Sequence, residues 1–320
     1  MALAKTNSVG NSGIWAGITR AFNFLTGASS IRFYVWASLI SQILIVVTGG
    51  VVRLTGSGLG CPTWPKCTAE SLVTVPEMGW HGIIEFTNRL LTFVLALIAV
   101  GTFIAIVRLA KQQRNGLFLP ALFLGLGIPA QAVLGGITVL TQLNPWTVGS
   151  HFVLSGIMIW LASLLVWRFY QPKLMPVTQT AYRLTTPLFI VGVIAVLVGV
   201  LVTGAGPHAG DANSVRNGLD LDLWQHFHSY PGYLMFAFTM ATVISLVKTE
   251  KSPVFGSWRL QTKISVLLLL VTLLQIIIGI TQSRMGVPAL LVGFHMLGAS
   301  ALISILSFQW LSVRGKANRG

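Results

Sequence analysis

Residues 80–107 read WHGIIEFTNRLLTFVLALIAVGTFIAIV. From residue 82 onward this stretch is apolar and long enough to cross a bilayer, which takes a helix of about 20 residues. Its N-terminal end carries His81, Glu85 and Asn88 at i, i+4 and i+7, so the three side chains share one helical face. An ionisable group inside a span is costly and marks a functional position by default, which makes Glu85 the candidate catalytic group. Its structural alternative is an ion pair with Arg89, also at i+4.

Seven more stretches of the same kind lie on either side: about 33–52, 117–142, 149–167, 184–203, 224–247, 262–282 and 288–310. The chain is 54% hydrophobic and 9% charged, with a mean hydropathy of +0.78; a soluble domain has about 25% charged residues. The expected class is an all-α integral membrane protein with eight transmembrane helices in the lipid bilayer. Basic residues concentrate in cytoplasmic loops. Here Lys5, Arg20 and Arg32 precede the first span, and Arg108, Lys111, Arg114, Arg168, Lys173, Arg183, Lys248, Lys251, Arg259 and Lys263 fall in alternate loops. Arg314, Lys316 and Arg319 follow the last span. Both termini are therefore expected in the cytoplasm, with residues 1–32 as a tail and not a signal peptide. The net charge of +14 is mostly this orientation signal and gives no reason to invoke nucleic acid. Six acids, Glu70, Glu77, Glu85, Asp211, Asp220 and Asp222, sit at or near the opposite, outer side.

The chain repeats itself. Thr55-Gly56-Ser57-Gly58 closes the first span and Thr203-Gly204-Ala205-Gly206 the fifth; Gly136-Ile137-Thr138 ends the third and Gly279-Ile280-Thr281 the seventh. His81 and His228, and His151 and His295, are related in the same way, by about 145 positions. The expected organisation is two repeated four-helix bundles, 33–170 and 184–311, joined by a linker at 171–183 and followed by a short tail, 312–320. Sites in repeated membrane folds usually lie within or between such units.

His81, His151, His228 and His295 all fall in the outer half of an even-numbered span. A single such histidine is as well explained by a polar tip at the interface. Four at repeat-related positions point to imidazole ligands of haem iron, paired His81 with His151 and His228 with His295. His226, two residues from His228, points to another face. The second unit has no carboxylate like Glu85: Gly232 and Met235 stand where Glu85 and Asn88 would recur. That asymmetry suggests chemistry in the first unit and a haem serving electron transfer or structure in the second. The only cysteines, Cys61 and Cys67, share the first outer loop; outside the cytoplasm they favour a disulfide, either a plain loop staple or a redox-sensitive lid.

The run Gly49-Gly50-Val51-Val52-Arg53-Leu54-Thr55-Gly56-Ser57-Gly58-Leu59-Gly60-Cys61-Pro62, with Trp64-Pro65, Cys67 and Glu85-x-x-Asn88-Arg89, resembles haem A synthase. The likeness extends to Thr203-Gly-Ala-Gly-Pro-His208 and Gly293-Phe-His295. It implies oxidation of one methyl group of haem O through a hydroxymethyl to a formyl group, for cytochrome oxidase. It also implies substrate haem in the first unit, with Glu85 catalytic and Cys61 and Cys67 as the loop pair. A haem b cofactor is implied in the second unit, and the later-span ligands are His151 in the first unit and His295 in the second. The family's commoner form has histidine where this chain has Asn88, and a second cysteine pair that this chain lacks. Either His81 and His228, one heptad earlier, ligate iron, or they contact propionates and Met235 supplies a sixth ligand.

Arg53, Lys66, Arg89, Arg216 and Arg284 are the candidate propionate partners. The expected location is the cell membrane, multi-pass, with the histidine sites toward the outer face. Haem O synthase and other oxidase assembly proteins are the expected partners, and a homo-oligomer stays open. A dihaem electron carrier, a haem permease and an inactive assembly factor are the competing classes.

Overall fold

The structure, a computed structural model, describes residues 15–17, 19, 28–109 and 111–314. Most of the N-terminal tail, with Lys5 and Arg20, and the end of the C-terminal tail, with Lys316 and Arg319, lie outside the described residues. The long elements are all helical: α1 (Ala28–Leu54), α2 (Gly79–Val107), α3 (Phe118–Leu140), α4 (Pro145–Tyr170), α5 (Gln179–Ala205), α6 (Leu221–Val247), α7 (Leu260–Arg284) and α8 (Ala289–Arg314). All eight are long and apolar enough to span a membrane. Large apolar side chains such as Phe93, Leu97 and Leu290 are well exposed on them, as expected of helices whose outer faces meet lipid.

Most helices begin or end several residues beyond the apolar stretches seen in sequence. At the start of α4, α5 and α6 the cause is capping, which hydropathy does not register. The Asn144 side chain accepts the Trp146 N–H at 3.0 Å with Pro145 in the first turn. Thr178 does the same for Ala181 at 3.1 Å, and Asp220 for Leu223 at 2.7 Å.

Helices α1 to α4 close into a ring in which each touches the next and α4 returns to α1; α5 to α8 do the same. The rings meet through α4 against α8, with α1 against α8 and α4 against α5 on either side. Exchanging each helix with the one four places later leaves this neighbour pattern unchanged. Small and hydroxyl side chains let the backbones approach, as is usual where no water drives association. Ser163 donates to Ser304 at 2.9 Å across α4 and α8, and Ser38 and Thr102 share a bond of 3.0 Å across α1 and α2.

At the histidine end the loops between odd and even helices are laced together across the two rings. Gly58 donates its N–H to the Gly210 carbonyl at 2.7 Å. Arg53 donates to the carbonyls of Thr203 at 2.7 Å and His208 at 2.5 Å. His208 in turn donates to the Val287 carbonyl at 2.8 Å, just before α8. Of the chain's seven acidic residues only Glu250 lies at the opposite, basic end, where Arg259 and Thr262 bind it. Partial burial pushes its carboxyl upward, but these hydrogen bonds outweigh that and hold it below the usual carboxylate range.

Candidate functional site

The first outer loop is tied to α2 by the residues that sequence singled out. Cys61 and Cys67 form a disulfide and both are fully buried. Glu85, 5% exposed, accepts the Cys61 N–H on Oε2 at 2.5 Å and pairs through Oε1 with Arg89 at 2.5 Å. Arg89 also donates to the carbonyls of Cys61, Thr63 and Lys66, so the pair clasps the loop at four points. The Glu85–Arg89 ion pair left open by sequence is therefore present. A carboxylate has about four lone-pair sites. Both sites on Oε1 are taken by Arg89 and one on Oε2 by Cys61, which leaves one acceptor site on Oε2.

The clasp brings Trp64 over α3. A Cβ at Gly136 would lie 2.5 Å from the Trp64 ring, and one at neighbouring Gly135 would lie 3.4 Å from the His151 ring. The lid of the loop and the histidine of α4 thus seat on adjacent glycines. His151 keeps a buried Nδ1 without a partner, and so do Asn88 Oδ1 and Gln131 Oε1. His81, by contrast, shares a 3.0 Å hydrogen bond with Ser57 and stacks against Trp80 at 3.8 Å. No ring contact joins His81 to His151 among the described residues.

In the second ring two histidines do face each other. The rings of His228 on α6 and His295 on α8 have centroids 6.1 Å apart and planes at 81°. An imidazole nitrogen binds a metal at about 2 Å and lies about 1 Å from its ring centre, so two rings on opposite sides of one iron have centroids about 6 Å apart. His295 Nδ1 is buried without a hydrogen-bond partner, and the His228 ring has only the Ala195 backbone within reach. Leaving such a group unbonded costs about 1–3 kcal/mol, which a bound ligand relieves. The pair fits bis-histidine ligation of a haem. Gly199 on α5 backs His228, where a Cβ would lie 2.9 Å from its ring, and Gly279 on α7 backs His295 at 3.6 Å. Met235, a sixth-ligand alternative from sequence, is 1% exposed and packs with Leu188, Leu268, Leu302 and Leu306. The ring opposite His295 is that of His228.

Among the candidate cations, Arg53 and Arg89 are committed as described. Arg216 donates to Ser214 and Pro207, and Lys66 to Ala69. Arg284 is exposed and makes no hydrogen bond or ion pair among the described residues. His226 is exposed, as its offset from His228 predicts. Sequence reading missed Gly135, Gly199, Trp64, and the pair Gln131 and Gln275, each one turn before the glycine behind a histidine. The internal repeat carries that last signal, since Gln-x-x-x-Gly recurs in α3 and α7.

A family model described as cytochrome oxidase assembly protein matches residues 32–307. A protein named heme A synthase from Rickettsia africae is 25% identical over 347 aligned positions, covering 89% of this chain and 98% of that protein. One of the same name from Geobacillus thermodenitrificans is 31% identical over 126, covering 38% of this chain and only 37% of its own length. A stretch of 62 residues, 19% of this chain, is 39% identical to 10% of a protoheme IX farnesyltransferase from Thermus thermophilus.

Proposed function

The chain belongs to the cytochrome oxidase assembly protein family, and from that premise we propose that it is a haem A synthase, oxidising a methyl group of haem O to a formyl group through a hydroxymethyl stage. The observation that carries this reading is the division of labour between the rings. One has a facing histidine pair and no buried carboxylate among its described residues; the other has the buried Glu85, with unpartnered polar atoms on His151 and Asn88.

In this account His228 and His295 hold haem b, which when bound supplies one-electron redox chemistry. The two rings form separate four-helix units, and substrate haem O occupies the first, against the face of α2 that presents Glu85 and Asn88. His151 is its ligand from α4. Each oxidation takes a proton and two electrons from a substrate C–H bond: Glu85 would accept the proton at the one free site on Oε2, a role that general-base catalysis makes worth about 10²–10⁴-fold, and an electron acceptor from outside the chain would take the electrons. Arg89 and the Cys61 N–H hold that carboxylate in place. Trp64, lying over Gly136, closes the site against water. Arg284 is free to meet a propionate of the second haem.

The basic ends face the cytoplasm and the histidine end faces outward. Haem O is insoluble, so direct transfer from haem O synthase is favoured. The Thermus farnesyltransferase that shares a stretch with this chain is consistent with that contact.

Two variants test the geometry. Gly199→Ala places a Cβ 2.9 Å from the His228 ring, so the purified protein should hold less haem b, or hold it with a shifted absorption band; an unchanged spectrum would remove His228 from the ligand set. Gly136→Val should expel Trp64 from α3 and lower haem O turnover while haem b absorbance stays. Unchanged turnover would mean that Trp64 is not a lid.

A further inference from the structure

A cavity of about 560 Å³ opens at the basic end, far from the histidines, between the start of α3 and the last turns of α4 and α8. Arg168 and Arg314 line it, with Trp167, Trp310 and Asn115, and it has no acidic residue in its wall. The two arginines come from the two helices that carry His151 and His295. Both tryptophans are braced, Trp167 against Phe308 at 6.2 Å and Trp310 against Phe189 at 5.7 Å. Arg314 lies over the Tyr182 ring at 4.1 Å, yet its Nε is buried and has no acceptor. Among the described residues Arg168 donates one N–H, to the Gly116 carbonyl at 2.8 Å, and a guanidinium has five to give.

An apolar wall, two guanidinium groups and an unsatisfied buried donor at the edge of the bilayer match one kind of ligand. Its charged part must accept hydrogen bonds and be negative; the rest must tolerate tryptophan and Leu311. We propose that this cavity binds an anionic phospholipid. Its phosphate bonds Arg314 Nε and Arg168, and an acyl chain lies along Trp310 and Leu311. Basic pockets between helices at the inner membrane face take such headgroups, and tryptophan prefers that depth. The lipid wedges the ends of α4 and α8, the pair through which the two rings meet. This inference rests on the protein spanning a membrane and not on its chemistry.

The test is native mass spectrometry of the full chain, titrated with phosphatidylglycerol or phosphatidylcholine in detergent, and then with inorganic phosphate. Phosphatidylglycerol should bind about tenfold more tightly than phosphatidylcholine, and Arg168→Gln or Arg314→Gln should each cost about fivefold. Lys248→Gln, at the same end but outside the cavity, should change nothing. If Arg314→Gln fails to fold, Arg168→Gln alone decides. Equal binding of the two lipids, or unchanged binding in a folded Arg168→Gln protein, overturns the proposal. Displacement of the lipid by millimolar inorganic phosphate also overturns it, since the site would then serve a free anion.

Discussion

In a Glu85→Ala protein, oxidation of haem O is expected to fall by about 10²–10⁴-fold while haem b in the second ring is retained. The substitution removes two things together: the one buried carboxylate among the described residues, and the acceptor of the Cys61 N–H and the Arg89 guanidinium. Losing the second leaves the buried Cys61 amide unbonded, at a cost of about 1–3 kcal/mol, and strips Arg89 of its counter-ion while its bonds to the loop carbonyls remain. Glu85→Gln separates the two roles. Its one carbonyl oxygen still accepts the Cys61 N–H, its amide NH2 replaces the oxygen that Arg89 bonded, and it takes up no proton. With Gln, thiol labelling should find Cys61 and Cys67 still joined and activity still lost. Activity restored by Gln would make Glu85 a clasp for the loop and nothing more.

The second large effect concerns the histidine pair. His295→Ala and His228→Ala should each abolish the haem b absorption of the purified protein, because either removes one of two rings that stand 6.1 Å apart. His151→Ala should leave that absorption in place and stop haem O conversion. Met235→Leu, a volume-conserving change in a packed core, should leave both. Loss of haem b in Met235→Leu with retention in His228→Ala would reverse the ligand assignment.

The eight spans were legible because hydropathy over about 20 residues reports the membrane directly. Their ends were not, since Asn144, Thr178 and Asp220 extend helices with polar residues that hydropathy reads as loop. The repeat placed His228 opposite His295 from numbering alone. It could not separate the two fates of the earlier histidines. His81 is hydrogen-bonded to Ser57 and stacked on Trp80, whereas the His228 ring faces that of His295, a difference made by tertiary neighbours. The same holds for Glu85, whose i+4 partner was visible but whose bond to Cys61 depends on how the loop folds back. Trp64 was quoted only as part of a motif, because nothing in its local sequence says that it crosses to α3.

The most direct measurement is chromatography and mass analysis of haems extracted from membranes in which this protein is expressed with a haem O synthase, beside the Glu85→Ala protein. Haem A or its hydroxymethyl precursor should appear with the intact chain and not with the variant. Unchanged haem O alongside bound haem b would contradict the account and leave an electron carrier or an assembly factor in its place.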